Sequence, residues 1–444
     1  MSHQSTRRTF LKATAVTGIG FWAAGGVRAQ ESNSPNERIA FASIGVGGKG
    51  QSDSRDASSR GDMVAICDTD RRTLDGVAKA FKCDKTYVDF RKMLDEMGDS
   101  IDAVTVSTPD HTHAAAALMA MRMGKHCFCQ KPLTRTIYEA RLLAETAKKM
   151  GVATQMGNQG TANRALRKAA AMIRAGRLGE LKAVHVWTNR PVWPQGCDRP
   201  PEKPVPEYLA WDEWLSVAPK RPYGDGYHSF KWRGWWDFGT GALGDMACHT
   251  VNMPYMGCEL RNPTSVQAET SGHNRDSYPL WSKIKFDFPA VSWRPALDFY
   301  WYDGGQRVDA DLVDGQSVSN SGCVVIGTKG KIYSKDDYCG NFMTLGDVDD
   351  SDEGLEWRQS GNHFQEWIDA IKGGESAMSD FGNYAGGLTE TILLGNLAVW
   401  AANEPGQGPK IEWDAEKLRV TNIRDEVIDR MVKPIYPEGY TLDA

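Results

Sequence analysis

Three things are scarce in this 444-residue chain, and each scarcity removes a class of function. Long apolar runs are missing and mean hydropathy is −0.47, which excludes a polytopic membrane protein. Positive charge is not in excess: 52 Lys and Arg face 57 Asp and Glu, a net of −5. The basic footprint of bulk nucleic-acid binding is therefore lacking. Cysteine has no framework. Its nine positions (67, 83, 127, 129, 197, 248, 258, 323 and 339) are odd in number and irregular in spacing, unlike the even sets that staple small secreted domains. Cys67, Cys127 and Cys129 fall in apolar, strand-like runs, where a thiol acts as a small buried hydrophobe. Cys127 and Cys129 would point to opposite faces of one strand, which argues against a metal there; one disulfide among the later cysteines stays open.

Tryptophan is scarce only regionally. After Trp22 none occurs between residues 31 and 185, and then ten of the fifteen crowd between Trp187 and Trp301. So abrupt a change implies two domains with different work, in keeping with two to three domains of about 150 residues each. The 41% apolar content is too high for a disordered chain.

What is present begins with an address. Residues 6–12 read TRRTFLK, a twin-arginine pair, followed by a moderately apolar stretch at 13–26 and Val-Arg-Ala ending at Ala29. That stretch has 14 residues, four of them glycine, and is too short to anchor in a bilayer. The layout predicts an export signal over 1–29, delivery by the twin-arginine machinery to the periplasm, and no membrane association after cleavage. Its removal would leave 48 basic against 57 acidic residues, a net of −9.

From residue 38 the pattern alternates between strand and helix. RIAFASIGV, DMVAICD (62–68), IDAVTVS (101–107), HCFCQ (126–130) and VATQM (152–156) read as strands, with helical runs between them. Such alternation means βαβ units and a parallel, doubly wound sheet. The turn Gly45-x-Gly47-Gly48-x-Gly50 follows the first strand and opens a helix, the setting in which glycines let a pyrophosphate approach a helix N-terminus. Asp68, at the end of the second strand, is placed to accept from an adenosine ribose and to repel a 2′-phosphate, favouring NAD over NADP; Arg71 and Arg72 soften that preference.

Thr108-Pro109-Asp110-His111-Thr112-His113, Gln130-Lys131-Pro132-Leu133 and the segment GTGALGDMACH (239–249) together resemble the Gfo/Idh/MocA oxidoreductase family over essentially the whole chain after the signal. The resemblance implies Lys131, Asp245 and His249 as catalytic residues, and cofactor contacts from Thr108, Pro109, His113, Gln130 and Lys131 beside the glycine turn. The family pattern has Glu where Gln130 stands, so a charge near the nicotinamide is lost. The residue types support the trio independently. Lys131 lies past the carboxyl end of a parallel strand, and Asp245 and His249 are four apart on one helical face. A histidine near neutrality suits a general base, and an ammonium beside it suits a developing alkoxide. His111-x-His113 lacks a third ligand, so no metal is expected.

The second half reads as an α+β domain with a large, mostly antiparallel open sheet, built from runs such as SVQAET, SKIKFDF, ALDFYWY and CVVIGT. Its Pro-rich, Trp-bearing stretch at 191–222 is too long for a plain connection. Asn158, Gln159, Arg233, Trp235 and Trp236 are candidate substrate contacts, since indole faces stack on C–H-rich sugar rings. The expected layout is a nucleotide domain at 36–157, a substrate domain at 158–402 whose helix near 384–402 packs back on the first domain, and a tail at 403–444. The resemblance implies a homo-oligomer formed through the second sheet. The expected function is an NAD-dependent oxidoreductase acting on a saccharide or cyclitol. Its alternatives are a redox-neutral, NAD-dependent glycosidase working by oxidation, elimination and reduction, and a non-catalytic sugar-binding protein.

Overall fold

The alternating periods of the first third build a parallel sheet in the computed structural model, which describes residues 38–440 and 442. The expected export signal lies outside the described residues. Strands β1 (Ile39–Ile44), β2 (Gly61–Cys67), β3 (Thr86–Tyr87), β4 (Ala103–Val106), β5 (His126–Cys129) and β6 (Thr154–Met156) run in the order β3-β2-β1-β4-β5-β6, all parallel. The order reverses between β1 and β4, which opens a crevice at the carboxyl ends of the strands. Helices α1 (Lys49–Ser58), α2 (Arg71–Phe81), α3 (Phe90–Met97), α4 (Asp110–Arg122) and α5 (Ile137–Met150) cover the sheet. Eleven of the thirteen α4 residues are buried, and its alanine run lets it sit close to both the sheet and α5.

The second sheet contains β7 (Leu181–Trp187), β8 (Ser265–Ser271), β9 (Ser282–Phe288), β10 (Leu297–Tyr302), β11 (Gly322–Gly327), β12 (Gly330–Ser334), β13 (Met343–Gly346), β14 (Pro405–Gln407), β15 (Ile411–Asp414) and β16 (Arg419–Val420). Its order is β13-β12-β11-β7-β10-β9-β8-β15-β16, with β14 on β8; every pairing is antiparallel except β7 with β10. Residues along β9 and β10 alternate strictly between buried and half-buried, so one face is core and the other is open.

Helices α6 (Arg164–Arg174), α7 (Trp211–Leu215), α8 (Gly241–Thr250), α9 (Asn252–Cys258), α10 (His363–Ile371), α11 (Gly386–Ala401) and α12 (Glu426–Val432) complete the chain. Twelve of the sixteen α11 residues are buried. A side chain at Gly395 would come within 2.6 Å of Leu243 and 2.7 Å of Phe286, so that glycine lets α11 wedge between α8 and the sheet. On its other side α11 meets the first domain, where Arg141 of α5 donates to Glu390 at 2.8 and 2.7 Å.

Two sequence expectations change. Residues 403–420, read as tail, carry β14–β16 and belong to the second sheet; these strands of two to four residues are too short to show a period. All nine cysteines are free, so the disulfide left open does not form. The segment at 191–238 folds around its own small core of Leu209, Trp211, Trp214, Tyr223, Tyr227, Trp232, Trp235 and Phe238. Among the described residues, no helix is long and apolar enough to cross a membrane.

A buried ion pair ties α6 to α10. Arg167 donates to Glu366 at 2.5 Å, to the Thr161 carbonyl at 2.7 Å and to the Arg358 carbonyl at 2.8 Å, and both side chains are almost wholly enclosed. Glu366→Ala leaves the guanidinium without a counter-charge in a dry site. We expect a loss of about 3–5 kcal/mol, read as a lower midpoint in urea denaturation; an unchanged midpoint would contradict this role.

Candidate active site

The crevice at the sheet's carboxyl edge deepens into a cavity of about 620 Å³, lined from the first domain by Gly45, Asp68 and Lys131 and from the second by Arg233, Asp245 and His249. At one end lies the glycine turn. Gly45 has φ +77, and a side chain there would strike the Ser107 carbonyl at 2.7 Å. Gly47 and Gly48 also line the cavity, whereas Gly50 does not. A side chain at Gly50 would reach 1.9 Å from the Gly45 carbonyl, so this glycine sets how closely α1 meets the turn. Helix α1 has Gly48 as its N-cap with no side-chain hydrogen bond, and a side chain at Gly48 would meet nothing within 4 Å. An uncapped helix N-terminus facing open space fits a phosphate.

Asp68 lines the same end. Its two oxygens accept from the backbone N–H groups of Val46 and Asp70, each at 2.9 Å, so the carboxylate shapes the turn while leaving lone pairs for a ribose. Burial raises its pKa, with those hydrogen bonds opposing. Arg72, one of the two residues placed to soften the nucleotide preference, lies outside the cavity lining. It is engaged with Asp70 through Nε and Nη2 and lies 3.3 Å from the ring centroid of Tyr208.

At the other end Lys131 projects past β5. Its ammonium donates to the Asp245 carbonyl at 2.7 Å and to Asp245 Oδ1 at 3.0 Å, and Arg233 Nε donates to the same Oδ1 at 3.0 Å. Burial alone would raise Asp245, but the two cations outweigh it and hold the carboxyl at about 2. One helical turn on, His249 is 4% exposed and has an unpartnered Nδ1. Burial and the nearby Lys131 push its pKa well below the ordinary histidine value, so it stands as neutral imidazole. Its ring faces Tyr338, with centroids 4.7 Å apart.

Thr108, Pro109, Gln130 and Gln159 also line the cavity. Gln130 Nε2 donates to the buried Asp53 at 2.9 Å, and Asp53 also accepts from Ser107 Oγ at 2.8 Å and pairs with Lys49.

Four expected contacts are corrected. His113 does not reach the cavity: its ring nitrogens lie 2.8 Å from the carbonyls of Pro132 and Thr108, so it ties the two turns together from behind. Asn158 is fully buried and accepts from Ser379 Oγ at 2.5 Å. Trp235 and Trp236 point into cores, with their indole N–H groups donating to the carbonyls of Gly226 and Ser277 at 2.7 and 3.1 Å. The indoles that line the cavity are Trp193, Trp214 and Trp232. Sequence reasoning also missed Arg190, Phe230, Tyr338 and Tyr440, which arrive from loops far apart in the chain, and Asp110, which sat unremarked inside a quoted motif. Among the described residues no cluster of side chains has the makings of a metal site.

Comparison with known proteins places this geometry. Residues 39–158 match the model of an oxidoreductase family described as an NAD-binding Rossmann fold, and residues 180–435 match that family's C-terminal alpha/beta domain. Among curated relatives, levoglucosan dehydrogenase of Pseudarthrobacter phenanthrenivorans is 27% identical over 40% of this chain and 37% of its own length. The scyllo-inositol 2-dehydrogenase (NAD(+)) of Bacillus subtilis is 29% identical over 33% of this chain and 40% of its own. These matches span well under half of either relative. An inositol dehydrogenase homolog from Azotobacter vinelandii, solved with NAD+, shares the fold at a TM-score of 0.59 and 18% identity, over 85% of this chain and 97% of that one.

Asp110 offers a direct check on the site's electrostatics. It is 3% exposed and accepts from Thr240 Oγ1 at 2.6 Å, and burial raises its pKa to about 7 against the pull of Arg233 and Lys131. A carboxyl raised on folding stabilises the protein most at low pH, and that contribution fades as pH climbs toward about 7. Asp110→Asn keeps an acceptor for Thr240 without the charge. Between pH 5 and 8 the wild type should lose roughly 2–3 kcal/mol relative to this variant; parallel pH–stability curves would contradict the assignment.

Proposed function

The chain belongs to the Gfo/Idh/MocA oxidoreductase family, and on that premise we propose that it transfers a hydride between NAD and a hydroxyl or ketone of a sugar or cyclitol. One observation carries the reading: a single cavity joins an uncapped phosphate turn to the Lys131, Asp245 and His249 trio. NAD, when bound, supplies a two-electron hydride acceptor. Gly45, Gly47, Gly48, Asp68, Thr108, Pro109 and Gln130 would hold it. Neutral His249 accepts the substrate hydroxyl proton, and the Lys131 ammonium steadies the oxygen as charge develops on it. Asp245 keeps that ammonium in place. The relatives' named substrates, levoglucosan and scyllo-inositol, support a polyol ring.

A second reading is favoured by how the 191–238 segment closes on the nucleotide domain. The Arg71 N–H donates to the Tyr208 carbonyl and the Ala210 N–H to the Thr69 carbonyl, both at 2.9 Å, and Tyr440 lines the cavity from the C-terminal segment. A cofactor enclosed in this way is suited to redox-neutral turnover, in which one substrate re-oxidises what another reduced.

We also propose that the enzyme is exported, on the strength of Arg7-Arg8, and oligomeric through the half-exposed face of the second sheet, to which Asp298, Tyr300 and Tyr302 of β10 contribute. Cell fractionation and light scattering of the same preparation test these two points; a cytoplasmic monomer would refute both.

Gently purified protein should release close to one NAD(H) per chain on denaturation, and sugars or cyclitols should change its absorbance at the reduced-nicotinamide band. His249→Ala and Lys131→Met should each lower kcat by about 10²–10⁴-fold. The acid limb of the wild-type rate should fall below the ordinary histidine range, because the base is held neutral by burial. Protein without cofactor that also fails to bind NAD on titration would sink the reading. Stoichiometric accumulation of NADH with one sugar would decide against the redox-neutral version.

A further inference from the structure

The two ends of the cavity differ in charge balance. At the phosphate turn, Lys49 already has a carboxylate partner in Asp53. The substrate end is lined by three cations, Lys131, Arg190 and Arg233. Asp245 serves two of them at once, lying 3.0 Å from Lys131 Nζ and 3.0 Å from Arg233 Nε. The other carboxyl in the lining there, Asp110, is raised to about 7 by burial and contributes only part of a charge near neutrality. Arg190 forms no ion pair among the described residues; its guanidinium bonds the side-chain oxygen of Asn189. Asp337 influences Arg190 electrostatically but does not pair with it.

Arg233 is held as a presented group. Nε is fixed on Asp245 and Nη1 donates to the Phe230 carbonyl at 3.3 Å. The guanidinium carbon lies 4.2 Å from the Trp232 ring centroid and 4.8 Å from that of Phe230. Among the described residues these contacts leave Nη2 without a hydrogen-bond partner, while the side chain keeps 23% exposure. Arg190 reaches the same end: it lines the cavity with Tyr338, which faces His249 and lies in the combined field of Lys131, Asp337, Asp245 and Arg190. A guanidinium fork matches the planar, two-oxygen geometry of a carboxylate or the oxygens of a phosphate ester. A neutral polyol closing this cavity would desolvate Arg190 without neutralising it, which is costly.

We infer that the substrate is an anionic sugar, carrying a carboxylate or a phosphate ester that sits against Arg190 and Arg233 while its reacting hydroxyl faces Lys131 and His249. This rests on the oxidoreductase reading of the same site and adds the substrate's charge to it.

The test uses the holoenzyme and follows bound nicotinamide absorbance with hexuronates, aldonates and hexose phosphates, each beside its neutral parent. Thermal shifts of the same protein with the same compounds give a readout independent of turnover. At least one anionic sugar should exceed its neutral parent by tenfold or more in kcat/KM, and the carboxylate and phosphate arms identify which group is bound. Arg190→Met should lower kcat/KM for that anion at least tenfold more than for the neutral parent, mainly through KM, and Arg190→Lys should retain part of the preference. Neutral sugars that react as well as the anions, or an Arg190→Met loss equal for both, would overturn the inference while leaving the oxidoreductase reading standing. If no sugar changes the nicotinamide, the thermal shifts decide. Stabilisation by the anions alone, lost in Arg190→Met, keeps the charge recognition and removes the oxidoreductase reading; equal or absent stabilisation removes the anion as well.

Discussion

The ion pair between Lys131 and Asp245 is the constraint on which the site depends. It joins the carboxyl edge of the parallel sheet to α8 of the second domain across 114 residues of sequence. A lysine alone at that edge would be a mobile point charge on a flexible stem. Held by both the side chain and the carbonyl of Asp245, it becomes a fixed donor. The same carboxylate orients Arg233, and the fixed ammonium adds to the burial that already keeps His249 from protonating. Two properties thus follow from one carboxylate: a placed cation and an aligned guanidinium. The burial of α11 against α8 matters for the same reason, because any rotation of α8 would separate the pair.

Enclosure is the second theme, and the aromatic segment supplies it. The 191–238 excursion has its own core, so it can act as a rigid cover rather than a floppy loop. It reaches the nucleotide domain through backbone hydrogen bonds at Thr69 and Arg71 and through the Trp214 carbonyl, 2.8 Å from His111 Nε2. Most of its tryptophans build that core. Their abundance therefore reports the need to stabilise a long excursion outside the main sheet more than it reports sugar binding, and only three of them line the cavity.

This division explains what could be read from the sequence. The parallel sheet was legible because its signals are local: apolar runs of four to seven residues, helical periods between them and a glycine turn at the right junction. Strand β3 and strands β14–β16 were not, because two to four residues carry no period and their pairing is decided by distant partners. The trio of Lys131, Asp245 and His249 was legible through motifs, and the cavity brings those residues together. The direction of a side chain was not. Asn158 and Gln159 are neighbours, yet one is buried against Ser379 and the other lines the cavity. Trp235 and Trp236 lie close to α8 in sequence and face away from the site, because packing decides where an indole points. Arg190 and Tyr338 belong to loops whose convergence only the tertiary fold reveals.

The glutamine at position 130 completes the electrostatic account. Read against the family's glutamate, it looked like a charge lost near the nicotinamide. In the fold a carboxylate stands beside it on α1, where Asp53 is buried and accepts from both Gln130 and Ser107. A glutamate at 130 would put two carboxylates within hydrogen-bonding distance in a dry site, where like charges cannot both ionise cheaply. Gln130 and Asp53 are therefore a matched choice: one donates, the other accepts, and Lys49 balances the charge at the phosphate end. That acid is balanced locally, and the carboxylate of Asp68 at the same end is taken up by the Val46 and Asp70 N–H groups. Around Asp245 the balance differs, because one carboxylate there serves both Lys131 and Arg233 while Arg190 lines the same cavity.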